Sequence, residues 1–207
     1  MPNDIKKRIF DGLYKHLCSH ISINPNCEML EIGVGPNGFA PFYASHVSSF
    51  IGLDIDDYTS SYSGISNIRI YQYDGITFPL PDKCLDLIVS HSVFEHIQDV
   101  EKVLMEINRV LKVGGHFYLT INPLYFSSWG SHGTFADHKT KLPDWEHLNP
   151  QSEYFMTDCP PQLANNGLKG CYLNKLVLSE LLYFCGKLPW QKARYSIDNK
   201  ERERYSA

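Results

Sequence analysis

The chain has no run approaching the ~18 consecutive apolar residues a membrane helix requires. Its first residues, which include Asp4, Lys6, Lys7, Arg8 and Asp11, lack the apolar region of a secretory signal. Membrane insertion and export are therefore not expected, and the reading is a soluble, cytoplasmic protein. An excess of basic charge is missing too. With a net charge of −4 there is no cationic surplus to displace counterions, so nucleic acid is not the expected partner. The cysteines Cys18, Cys27, Cys84, Cys159, Cys171 and Cys185 include no C-x-x-C pair, which excludes a zinc ribbon and a thioredoxin-like motif. They read as reduced thiols, mostly buried. No internal repeat occurs. At 43% hydrophobic and 20% charged residues the composition is globular, and 207 residues imply a single domain.

What is present is an alternation of short apolar runs and helical stripes. Ile5, Ile9, Leu13 and Leu17 recur every fourth residue and predict an amphipathic helix near 3–19. Met29 to Ile32 then forms an apolar run, stopped by Gly33-Val-Gly35-Pro-Asn-Gly38, after which Phe39, Phe42, Tyr43 and Val47 mark a helix. Further runs at 50–53, 68–71 and 85–90 predict strands, the first two ending in Asp54 and Asp74-Gly75. Val100, Val103, Leu104, Ile107 and Leu111 trace a helical face up to the Gly114-Gly115 turn, and a fifth strand is expected at 116–121. Such alternation implies βαβ units in a doubly wound, mostly parallel α/β sheet. From Asn122 to Gly170 the periodicity fails in a segment rich in Pro, His and aromatics, which reads as an irregular lid. A last helix at 176–184 and a sixth strand at 191–197 precede a charged tail. The expected division is an N-terminal helix at 1–24, a ligand-binding half at 25–122, a lid and substrate segment at 123–170, and a final helix, strand and tail at 171–207.

Open α/β sheets bind ligands beyond the carboxyl ends of their strands. There, Gly33 and Gly35 permit a tight turn and close backbone approach. Asp54, 21 residues beyond Gly33, can accept both hydroxyls of a ribose, and Asp74-Gly75 can receive an adenine amino group. Three successive strand ends thus suit a nucleoside. The spacing Gly33, Gly35, Gly38 also fits the dinucleotide fingerprint, which alone is weak. Glu31 distinguishes the two readings, because a carboxylate beside the turn suits an ammonium and repels a pyrophosphate.

Glu31-Ile-Gly-Val-Gly-Pro-Asn-Gly38, Gly52-Leu-Asp-Ile55, Asp74-Gly75, Asp86-Leu-Ile-Val-Ser-His-Ser-Val-Phe-Glu-His-Ile97 and Arg109-Val-Leu-Lys-Val-Gly-Gly115 resemble the ordered motifs of class I S-adenosylmethionine-dependent methyltransferases, specifically the type 11 branch. The resemblance covers about residues 28–122. It implies a Rossmann-like fold with S-adenosyl-L-methionine as cofactor. It further implies that Gly33 and Gly35 line the methionine part, Glu31 supports its amino group, Asp54 binds the ribose and Ile55 packs on adenine. Asp74 and Gly75 would face the adenine amine, and Ser90, His91 and Ser92 would lie near the transferred methyl. Val113 stands where the family usually has proline. Family members commonly end with a sixth and an antiparallel seventh strand, and only ten residues follow Ile197, so the last antiparallel strand is expected to be absent.

The implied activity is methyl transfer to a small-molecule or sugar-like acceptor, at oxygen. Proximity supplies ~7–11 kcal/mol of such a step, and a general base adds ~10²–10⁴-fold. The candidate bases are His91, His132 and His138, while His96 reads as structural. His132, His138 and His147 contain no pair at helical ligand spacing, so no metal site is expected. An NAD(P)-dependent oxidoreductase and a non-catalytic module that binds S-adenosylmethionine are the alternatives. An exposed sheet edge left without its last strand favours a homodimer.

Overall fold

The computed structural model describes residues 3–36, 38–122, 124–127, 130, 145–152 and 173–196. Most of the expected lid, with His132, His138 and Trp129, lies outside these residues, as does Ile197 with the charged tail.

Five strands form one sheet: β1 (Glu28–Ile32), β2 (Ser49–Asp54), β3 (Ile68–Gln72), β4 (Leu85–His91) and β5 (Leu111–Thr120). Their order is β3-β2-β1-β4-β5 and every pairing is parallel. The order reverses between β1 and β4, which opens a crevice at the carboxyl ends of those two strands, where ligands of doubly wound sheets sit. A parallel sheet covered on both faces needs apolar residues at successive positions, and β1 provides them. Met29 joins Phe50, Leu87 and Val89 on one face, packed against Phe10 and Leu17 of helix α1 (Asn3–Cys18) and Tyr43 of helix α2 (Ala40–Ala44). Leu30 and Ile32 join Ile51, Leu53 and Ile88 on the other. There they meet Val103, Leu104 and Ile107 of α3 (Val100–Val110) and Leu181 of α4 (Leu178–Gly186). Asp99 caps α3 by accepting the Lys102 N–H at 3.1 Å. No helix among the described residues is long and apolar enough to cross a membrane.

The structure departs from the sequence reading in three places. Helix α2 stops at Ala44 instead of continuing to Val47, because Ser45 and His46 close the last turn with i→i−3 bonds to Phe42 and Tyr43. The Ser45 hydroxyl also bonds back to the Phe42 carbonyl at 2.6 Å. Strand β5 begins directly after α3. Leu85 pairs with Leu111 and Leu87 with His116, so two residues of β4 span five of β5. The intervening Lys112–Gly115 segment bulges outward, with Gly114 at φ +83° and Val113 83% exposed.

The third departure is the expected sixth strand. Residues 191–196 are exposed and carry no regular structure. In Gln191-Lys-Ala-Arg-Tyr-Ser196 only Ala193 and Tyr195 are apolar, too little for a strand to bury. The chain is instead pinned earlier. Asn174 Nδ2 donates to the carbonyls of Phe94 (2.6 Å) and Ile97 (2.8 Å), and its backbone N–H donates to Glu95 O (2.9 Å). The 3-10 turn Phe94–His96 after β4 is thereby fixed in place.

Candidate functional site

At the carboxyl end of β1 the chain turns through Gly33, whose φ of +76° is open to glycine and strained for other residues. A Cβ at Gly33 would also run into the side chain of Val93. The N–H groups of Gly33 and Val34 donate to the Leu53 carbonyl at 2.8 and 3.3 Å, which ties the turn to β2. Gly35, at φ +57°, donates its N–H to Asp54 Oδ2 at 2.9 Å. Among the described residues no heavy atom lies within 4 Å of where its Cβ would stand, which leaves that face of the turn open for a ligand to approach.

The turn borders a cavity of about 310 Å³ that is also lined by Glu31, Phe39 and His91. Glu31 is 2% exposed, and its Oε2 has no hydrogen-bond partner among the described residues. Burial pushes its carboxyl up to about 8; Lys6 on α1 pulls the other way, and Asp54 adds to the rise. A buried carboxyl oxygen left unpaired is costly, and burial holds the group neutral until a cation is near. Facing the open glycine turn, it is a group awaiting a cation or a donor.

Asp54 ends β2 half-buried, with Oδ2 accepting from Gly35 and Oδ1 from the Asp56 N–H at 3.2 Å. Ile55 follows at 50% exposure, with its Cγ2 3.5 Å from the position a Cβ on Gly75 would take. The second and third strand ends therefore adjoin through an exposed apolar side chain and a glycine at φ +85°. Asp74 Oδ1 accepts the N–H groups of Thr77 (2.6 Å) and Ile76 (2.8 Å). These bonds hold its exposed carboxyl below the usual range.

Two of the expected residues behave differently from the rest. Ser90 is fully buried, its hydroxyl 3.5 Å from the Ile32 carbonyl, and it does not line the cavity. His91 does line it, with both ring nitrogens occupied: Nε2 lies 2.8 Å from Tyr43 Oη and Nδ1 2.9 Å from Thr120 Oγ1. Its ring stacks at 3° to that of Tyr43, and burial lowers its pKa to about 4. It is a neutral imidazole held from both sides. His147 is buried with Nε2 2.8 Å from the Tyr125 carbonyl, an anchoring contact.

The sequence reading missed Tyr62, a buried residue in the 3-10 turn Thr59–Tyr62. Its hydroxyl lies 2.6 Å from the Gly35 carbonyl, 3.2 Å from Val34 O and 3.0 Å from the Gly38 nitrogen. It stands in Thr59-Ser-Ser-Tyr-Ser63, where no periodicity marks one residue above its neighbours.

Residues 30–119 match a methyltransferase domain family. Curated relatives agree. An uncharacterised methyltransferase, YcgJ of Bacillus subtilis, is 30% identical over 60% of this chain and 51% of its own length. Sterol 24-C-methyltransferase ERG6B of Gibberella zeae is 32% identical over 50% of this chain and 30% of its own. The mRNA cap guanine-N(7) methyltransferase of Saccharomyces cerevisiae is 26% identical over 73% of this chain and 44% of its own. The chain thus spans about half the length, or less, of these relatives, and their names cover acceptors of different chemistry. The matched residues run from β1 to β5 and contain the glycine turn, Asp54, Asp74 and His91. Over these residues the chain carries a methyltransferase domain similar to those of S-adenosylmethionine-dependent methyltransferases, whose cofactor is S-adenosyl-L-methionine.

Proposed function

We propose that this chain transfers a methyl group from S-adenosylmethionine to a hydroxyl oxygen of a small-molecule or sugar-like acceptor. The observation that carries the reading is the unpartnered Oε2 of buried Glu31 beside the open glycine turn. A carboxylate there fits an ammonium and opposes a pyrophosphate, which counts against a nicotinamide dinucleotide.

When bound, the cofactor supplies a sulfonium methyl for in-line displacement by the acceptor oxygen, the S–C electron pair remaining on sulfur. The residues present suit its parts. Glu31 would receive the amino group, and the turn at Gly33 and Gly35 would line the methionine chain. Asp54 keeps lone pairs for the ribose hydroxyls beyond its bonds to Gly35 and Asp56. Ile55 offers an exposed apolar face for adenine, next to Asp74 and Gly75. Ser90 supports the β1–β4 seam from beneath. His91, neutral and doubly bonded, shapes the wall without adding positive charge next to a cationic ligand. The acceptor proton is then left to His132 or His138, proposed on the sequence alone.

The protein is further proposed to be cytoplasmic and to form a homodimer along the outer edge of β5, which pairs with no strand among the described residues. Sedimentation velocity at high concentration tests the dimer, and a strictly monomeric boundary overturns it. Calorimetry with S-adenosylhomocysteine tests the cofactor reading. The full chain should bind it, and Asp54→Ala should weaken binding by about 10–100-fold, the loss of one or two charge-assisted hydrogen bonds. Binding of NADH without binding of S-adenosylhomocysteine would reverse the assignment.

A further inference from the structure

The glycine turn is held on both of its polar sides. Asp54 Oδ2 takes the N–H of Gly35, and Tyr62 Oη lies 2.6 Å from the carbonyl of the same residue. A phenol has one proton to give, and the short distance assigns it to Gly35 O, with Val34 O at 3.2 Å as a weaker second acceptor. The lone pairs of the same hydroxyl receive the Gly38 N–H at 3.0 Å. Tyr62 thus joins the two ends of the turn, and it does so from the segment that follows the Asp54 carboxylate. Its ring is buried, and burial also raises the pKa of the phenol, which keeps it protonated and able to donate.

We infer that Tyr62 is a positioning residue for cofactor binding: its hydroxyl latches the glycine turn in the open shape that the methionine part of the ligand meets, and couples that turn to the Asp54 loop. The inference rests on the cofactor reading above. Without the latch, Gly35 and Gly38, the first at a positive φ that glycine leaves readily, sample other conformations. Each binding event then has to reorder the turn, and the intrinsic affinity is reduced by the fraction of molecules in the competent shape.

The test compares wild type with Tyr62→Phe, which keeps the ring and removes the hydroxyl. Tyr58→Phe is the control, since the Tyr58 hydroxyl bonds Asp56 at 3.3 Å and does not reach the glycine turn. Amide exchange of Gly38 is read by NMR without ligand, and S-adenosylhomocysteine affinity by calorimetry. In wild type the Gly38 amide should be protected; if it exchanges as freely as in an unstructured peptide, the latch is overturned without any variant. In Tyr62→Phe, Gly38 exchange should rise about tenfold and the Kd weaken about tenfold, as expected for the net loss of one to two hydrogen bonds. The central β1 amide of Leu30 and the Tyr58→Phe control should stay unchanged. Faster exchange with unaltered affinity rejects the positioning role, and unaltered exchange rejects the latch. Failure of wild type to bind S-adenosylhomocysteine while Gly38 is protected overturns the cofactor reading and the positioning role with it, leaving only a structural tie.

Discussion

The two halves of the cavity are built by different means. On the β1–β2 side the groups that are held belong to the backbone: N–H groups of Gly33 and Val34 on the Leu53 carbonyl, and of Gly35 on the Asp54 carboxylate, with the Gly35 carbonyl on the Tyr62 hydroxyl. On the β4–β5 side it is done by side chains: His91 between Tyr43 and Thr120, and Asn174 on the turn after β4. A backbone site tolerates few residue types, since φ and the room for a Cβ are set by sterics. A side-chain site tolerates many, because hydroxyls and imidazoles exchange roles. The difference orders the expected responses to mutation.

Breaking the backbone side should cost most. Gly33→Ala places a Cβ against Val93 and holds a non-glycine residue at φ +76°. The two penalties together predict about 2–4 kcal/mol of lost stability, read as a lower urea midpoint. A midpoint within experimental error of wild type would mean that the turn is not strained and that Val93 yields freely.

Glu31 belongs to the same side and responds to pH. Its folded-state pKa of about 8 lies above the ordinary glutamate value of 4.5, so between these the native chain holds a proton that the unfolded chain has released. Stability contributed by the neutral carboxyl is full below the unfolded pKa and declines as pH rises toward 8, by a few kcal/mol in all. Glu31→Gln cannot ionise. It should gain stability over wild type at pH 8 and lose the advantage by pH 5, while binding S-adenosylhomocysteine more weakly. Thermal unfolding of both proteins across that range is the measurement, and parallel pH profiles would remove Glu31 as the source of the slope.

The same contrast explains what could be read from the sequence. Gly33, Gly35, Asp54 and Gly75 were legible because a parallel sheet imposes continuous apolar runs, and the residues that end them must solve a backbone problem. The five strands and α1 followed from periodicity for the same reason. Tyr62 was not legible, because a tyrosine among serines satisfies no pattern until the fold brings residue 62 to residue 35. His91 was legible as a residue type and its partners were not, since they lie 48 residues before it and 29 after. The expected strand at 191–197 alternates polar and apolar residues through Ala193, Arg194, Tyr195 and Ser196, yet residues 191–196 are all exposed, so the pattern meets no sheet face to bury against.

The smallest effect is expected where the side-chain half shares its energy. His91 is neutral near pH 7, so one ring nitrogen donates and the other accepts, and its two hydroxyl neighbours cannot both play the same role. Removing Tyr43 Oη with Tyr43→Phe leaves the imidazole free to choose the tautomer that suits Thr120, and Thr120→Val does the reverse. Each single change should cost about 1 kcal/mol. The double variant leaves a half-buried imidazole with neither partner, so its cost should exceed the sum of the singles by about 0.5–1 kcal/mol. Urea unfolding of the four proteins gives the coupling directly. An additive cycle would show that His91 holds the two hydroxyls independently, and the cavity wall would then be two separate contacts in place of one network.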